Sequence, residues 1–139
     1  MSEEELSPPG YPGFARALHA LGGNWHFNTE PLAGKTLAGV KVSDDKTILT
    51  FDFENGESVS YSAEGDCCSN SWIEHITVPP DVAGSEITAW ADQPMGSFNK
   101  DWETIQVYQT SFLTAKGEII VEYRNSSNGY YGGWLQGPI

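Results

Sequence analysis

The sequence predicts a mainly β fold: one antiparallel sheet of about six or seven strands, flat or curled, with one or two short helices at its margin. Three observations predict it. Ile48, Thr50, Asp52 and Glu54 alternate with Leu49, Phe51 and Phe53, the period of a half-buried strand. Asn55-Gly56 follows at once, a pair suited to a tight hairpin whose central positions need positive φ. Five Trp, six Tyr and six Phe enrich the chain in residues that suit pleated, half-buried surfaces.

The elements follow in order. Residues 1–13 read as an acidic tail, with Glu3-Glu4-Glu5 and then Ser7-Pro8-Pro9-Gly10 breaking any regular structure. Residues 14–139 read as one domain. Phe14, Leu18 and Leu21 recur at helical spacing and Gly22-Gly23 stops them, so a short helix is expected there. His19 and His26 fall in this weakly patterned region and are expected to be solvated. From residue 36 to 63 the pattern is a three-stranded meander around Asn55-Gly56. The segment holding Trp72, Ile73 and Ile76 is a short strand or a turn of helix packed on the sheet. Pro79-Pro80-Asp81 opens a helical turn that Gly84 ends. Ile87 to Ala91 is a strand and Pro94 to Ser97 a loop. A long strand runs from Ile105 to Leu113, and Lys116-Gly117 turns into another from Glu118 to Tyr123.

Composition narrows function. The 139 residues carry a net charge of −12, and their seven basic residues are scattered. A nucleic-acid backbone needs a basic face, so direct binding of DNA or RNA is not expected. No apolar run is long enough to span a membrane, and the acidic N-terminus is the reverse of a secretion signal. The expected location is the cytoplasm, where Cys67 and Cys68 stay reduced.

Two clusters carry candidate chemistry. The first is Gly65-Asp66-Cys67-Cys68-Ser69-Asn70-Ser71-Trp72-Ile73-Glu74-His75. Cys67, Cys68 and His75 are the weak metal candidates; zinc sites usually take cysteines two to four residues apart, because adjacent side chains diverge in extended backbone. The plainer reading packs one cysteine in the core and turns the other to a cavity. A Cys nucleophile with His75 as base matches no catalytic spacing. The second cluster is Arg124-Asn125-Ser126-Ser127-Asn128-Gly129-Tyr130-Tyr131, at the end of a strong strand. Arg124, Asn128, Tyr130 and Tyr131, with Trp72 and Asn70 from the first cluster, form the candidate ligand set: a guanidinium for phosphate, amides, and rings that stack on a base. The plainer reading is a polar hairpin whose tyrosines fill the sheet face.

Asp66-Cys67-Cys68, the segment Trp72 to Ile76, the Asn55-Gly56 hairpin, Gly84-Ser85 and Ser127-Asn128-Gly129-Tyr130-Tyr131 together resemble a family of small phage and prophage proteins of unknown function, marked by a tandem-cysteine "DCC" and a terminal "SNGYY". The resemblance covers residues 34 to 132. It implies phage origin, a small β-rich fold and the host-cell cytoplasm. Small phage proteins without catalytic motifs are often counter-defence factors. Some, such as anti-Thoeris sponge proteins, sequester nucleotide-derived signals at subunit interfaces. By that analogy the chain is expected to be a non-enzymatic binder of a small anionic, nucleotide-derived ligand, without cofactor, acting as a homodimer or higher homo-oligomer. Two alternatives stay open: an acidic protein-binding inhibitor, a partial DNA mimic, of a host defence protein; and a metal- or Cys-dependent hydrolase. The signatures of a P-loop, a dinucleotide fold and a Ser nucleophile elbow are missing, which favours a binder over an enzyme.

Overall fold

Alternation builds most of the molecule. A computed structural model describes residues 6, 16–23, 26–129 and 131–139. The expected tail over 1–13 lies outside these, Leu6 excepted. The strands are β1 (Ala17–Ala20), β2 (Leu37–Val42), β3 (Ile48–Phe53), β4 (Ser58–Gly65), β5 (Asn70–Thr77), β6 (Ala89–Lys100), β7 (Glu103–Thr114), β8 (Gly117–Ser127) and β9 (Gly133–Gln136). They form two antiparallel sheets, not one. The first has order β1-β6-β7-β8-β5 and the second β2-β3-β4-β9.

The predicted meander is the second sheet's main part. In β3, Leu49, Phe51 and Phe53 turn inward; in β4, Val59, Tyr61 and Ala63 do the same. The wet face is held by Thr50 and Ser60 hydroxyls 2.8 Å apart and by Ser58 Oγ donating to Asp52 at 2.7 Å. Of the two central positions expected to take positive φ, Gly56 does, at +89°, and Asn55 does not. One core joins the sheets: Phe51, Tyr61 and Leu135 from the second meet Ile73, Phe112, Ile119, Val121 and Tyr123 from the first. Phe51 and Phe112 touch edge to face at 4.8 Å across the interface. Asn125, fully buried on the same inner face, donates to Ser69 Oγ and Ser71 Oγ at 3.0 and 2.9 Å.

Several expectations change. Ala17–Ala20 is strand, not helix, and pairs antiparallel with β6 from Ala17↔Asp92 to Ala20↔Ala89. A three-residue apolar stripe is a thin basis for a helix, whereas the β6 edge offers a full row of backbone partners. Pro94 to Ser97 lies inside β6, with the register shift of a bulge between Pro94 and Gly96; a bulge is where a strand tolerates proline. Around Pro79, Val82 N–H donates to Pro79 O and Ser85 N–H to Val82 O, two successive turns rather than a helix. Among the described residues the helical element is a 3-10 turn, Glu30–Leu32. No helix there is long and apolar enough to cross a membrane.

The outer face of the five-stranded sheet carries its own small cluster. Phe98, Ile105 and Val107 are buried there with Trp72, Met95 and Leu6 against them.

Candidate binding cleft

A cleft of about 510 Å³ is lined by strands of the five-stranded sheet and by β9 of the other sheet. Strand pairing places its polar groups. Period two puts Trp90 and Asp92 of β6 on the inner face. Opposite them, β1 brings His19 against Trp90, and β7 brings Thr110 against Asp92. Tyr123 of β8 forms part of the floor. Trp134 and Leu135 of β9 and the segment holding His26 and Phe27 form the facing wall.

His19 lies on Trp90 with ring centroids 4.1 Å apart, while Phe27 meets the same indole edge-on at 4.8 Å. His19 Nε2 is 2.8 Å from Asp92 Oδ1. A carboxylate only accepts, so Nε2 donates in this contact. His26 meets Trp134 edge-on at 6.4 Å. Burial pushes the Tyr123 phenol far above its usual value, with the Thr110 hydrogen bond opposing and the Tyr108 and Asp92 charges adding to the rise. Among the described residues the lining has one carboxylate, two imidazoles, four large aromatic rings and no Lys or Arg. Such a site stacks flat rings and offers them donors and acceptors; it provides no permanent cation for a polyanion.

The described members of the predicted ligand set, Asn70, Trp72, Arg124, Asn128 and Tyr131, sit elsewhere and do not line this cleft. Trp72 and Arg124 face each other across β5 and β8 on the outer face, with Asn70 opposite Ser126 two positions further. Asn128 is exposed in the turn after β8 and Tyr131 is half-buried; Tyr130 lies outside the described residues. Arg124 is only 6% exposed. Its Nε and Nη2 both donate to Glu122 Oε2, at 3.1 and 2.9 Å, and Nη1 is 3.5 Å from Glu74 Oε1. Its guanidinium lies over the Phe98 ring at 5.5 Å. Trp72 Nε1 donates to the same Glu74 oxygen at 3.4 Å. A phosphate approaching Arg124 would meet two carboxylates first. Here the arginine anchors the outer face.

Cys67 and Cys68 are both exposed and both free, in the turn joining β4 to β5. Neither packs in the core. Cys68 has φ +70°, which removes the divergence expected of adjacent residues, and the sulfurs lie 3.1 Å apart. His75 is paired with Glu122 on the outer face, five residues along the strand from Asn70, roughly 16 Å at the usual rise. Among the described residues no group of three or more His, Cys, Asp or Glu side chains is placed to hold a metal ion.

Sequence reasoning missed the cleft because three of its parts lay in poorly patterned segments. His19 and His26, expected in solvent, are half-buried. A signal for the other wall was present: Trp90-Ala91-Asp92 sets an indole and a carboxylate on one face of a strand, an unusual content for a core face.

A two-sheet antiparallel protein with an aromatic inter-sheet cleft is the class that this geometry defines. The chain belongs to the family described as a domain of unknown function (DUF7448), which matches residues 30–135. It is 28% identical over 108 residues to an uncharacterized protein of Acanthamoeba polyphaga mimivirus, a match that covers 72% of this chain and 84% of that protein. No solved structure matches. The family match takes in Trp90, Asp92, Thr110, Tyr123, Trp134 and Leu135 of the cleft; His19, His26 and Phe27 precede it.

Proposed function

We propose that this is a non-enzymatic binding protein of viral type that holds a small planar heteroaromatic ligand of the nucleoside class in the inter-sheet cleft. The observation that carries the reading is the lining itself: Trp90, Trp134 and Phe27 around the His19–Asp92 pair, in a space of about 510 Å³. That volume falls within the range of small-molecule sites. Stacking recognises the ring, and imidazole, carboxylate and hydroxyl groups recognise its edge. The lack of Lys and Arg favours a neutral ring over a multiply phosphorylated one. Sequestration of such a ligand as a counter-defence act fits a chain with a viral relative. The thermal test uses a panel of nucleosides, their mono- and triphosphates, and a carbohydrate control. Nucleosides should raise the melting temperature most, since a ligand at a hundred times its Kd adds about 2.7 kcal/mol of stability. No shift with any member, or a shift with triphosphates alone, would reject the reading.

A second reading rests on Trp102. It is 97% exposed at the tip of the β6–β7 hairpin, between the exposed acids Asp101 and Glu103. An exposed indole among acids suits an acidic inhibitor that docks on a host protein. Under this reading Trp102→Ala abolishes partner capture and leaves the cleft untouched.

A further inference from the structure

The turn between β4 and β5 is built to hold two thiols together. Asp66 N–H donates to Gly132 O, and Gly132 N–H donates to Asp66 Oδ2, each at 3.0 Å. Ser69 Oγ donates to Asp66 O at 2.5 Å and accepts from buried Asn125 at 3.0 Å. The residues on both sides of Cys67-Cys68 are therefore fixed to the five-stranded sheet and to the chain entering β9. Within that frame Cys68 takes φ +70°, and the two exposed sulfurs approach to 3.1 Å.

We propose that Cys67 and Cys68 form a modification site that exchanges with low-molecular-weight disulfides and closes a reversible bond between adjacent residues. With glutathione disulfide the steps balance. One cysteine, deprotonated, attacks a glutathione sulfur; a mixed disulfide forms and one glutathione thiolate leaves. The neighbouring cysteine then loses its proton and attacks the protein sulfur of that mixed disulfide; the Cys67–Cys68 bond forms and the second glutathione leaves. The protein loses two protons and two electrons, and one glutathione disulfide becomes two glutathiones. Adjacent Cα atoms lie about 3.8 Å apart, closer than the roughly 4.4–6.8 Å of ordinary disulfides, so the ring is strained and readily reduced again. Cys67 is pushed above its ordinary value, first by its contact with Cys68 and also by the Asp66 charge, so its thiolate is scarce at neutral pH. Exchange should accelerate as pH rises toward that value.

The test is intact-mass analysis of the reduced full chain after incubation with glutathione disulfide, beside Cys67→Ser and Cys68→Ser. The wild type should lose two hydrogens and retain no glutathione, and dithiothreitol should restore it. Each single variant should hold one glutathione, because its second step has no nucleophile. Circular dichroism of the variants should match the wild type, since both side chains are exposed. A wild-type chain that keeps stable glutathione adducts, or that links to a second chain instead, would overturn the proposal.

Discussion

At the scale of single residues, Arg124 has partners that local sequence does not announce. It is the basic residue set in a motif of amides and rings, which is why the sequence marks it for phosphate. The strand register brings Glu122 and Glu74 to it on the outer face. No local pattern announces the partner on β5. Arg124→Ala should therefore destabilise the fold by about 2–4 kcal/mol in urea unfolding, by leaving two half-buried carboxylates facing each other without their cation. Arg124→Lys should recover part of the loss, because its ammonium keeps a cation beside Glu122 and Glu74 without the guanidinium fork. A fully stable alanine variant would contradict the anchoring role. The buried phenols give a second prediction. Burial raises Tyr61, Tyr108 and Tyr123 above the usual phenol value. The unfolded chain gives up these protons near pH 10 while the folded chain keeps them. Stability should thus be full below about pH 10 and fall above it, by roughly 1.4 kcal/mol per pH unit for each of Tyr61 and Tyr123, whose shifts are large. Urea unfolding between about pH 9 and 11 checks this. Tyr123→Phe should make the alkaline decline shallower by one proton, and an unchanged slope would contradict it.

At the scale of elements, the strands that alternate cleanly were legible and the edges were not. The meander around Asn55-Gly56 and the pair β7–β8 follow from period two and turn chemistry alone. Strand β1 has no such pattern and exists because β6 presents an open edge. Strand β9 is short and follows a glycine-rich stretch, so the second sheet's fourth strand left little trace, and with it half of the cleft wall was hidden. The junction between sheets depends on residues without side chains. A Cβ on Gly65 would lie 2.5 Å from Asn125 Nδ2, 2.6 Å from Ser69 Oγ and 2.8 Å from Ser71 Oγ. Asn125 is fully buried and bonded to both serines, so turning away breaks those bonds. Gly65→Ala should cost about 1–3 kcal/mol by overpacking. Gly39→Ala, with nothing within 4 Å of its Cβ, should stay within about 0.5 kcal/mol of wild type. Equal effects of the two substitutions in thermal unfolding would show that the glycine at the junction has no packing role.

At the scale of the whole molecule, the site belongs to neither sheet alone. The family-matched region gives Trp90, Asp92, Tyr123 and Trp134, and the preceding segment closes the cleft with His19, His26 and Phe27. That division explains why motifs pointed to the cysteine turn and the Arg124 strand: they mark local chemistry, whereas the cleft arises only when β1 docks on β6 and β9 on β4. The most direct test follows the five tryptophan indole N–H signals by NMR while a nucleoside is added to isotope-labelled protein. The signals of Trp90 and Trp134 should shift together and saturate at one ligand per chain, while those of Trp72, on the outer face, and Trp102, at the hairpin tip, stay in place. Trp134→Leu should weaken the titration by about tenfold, the value of one ring–base stack. Shifts confined to Trp72 or Trp102, or none at any tryptophan, would contradict the assignment of the cleft as the binding site.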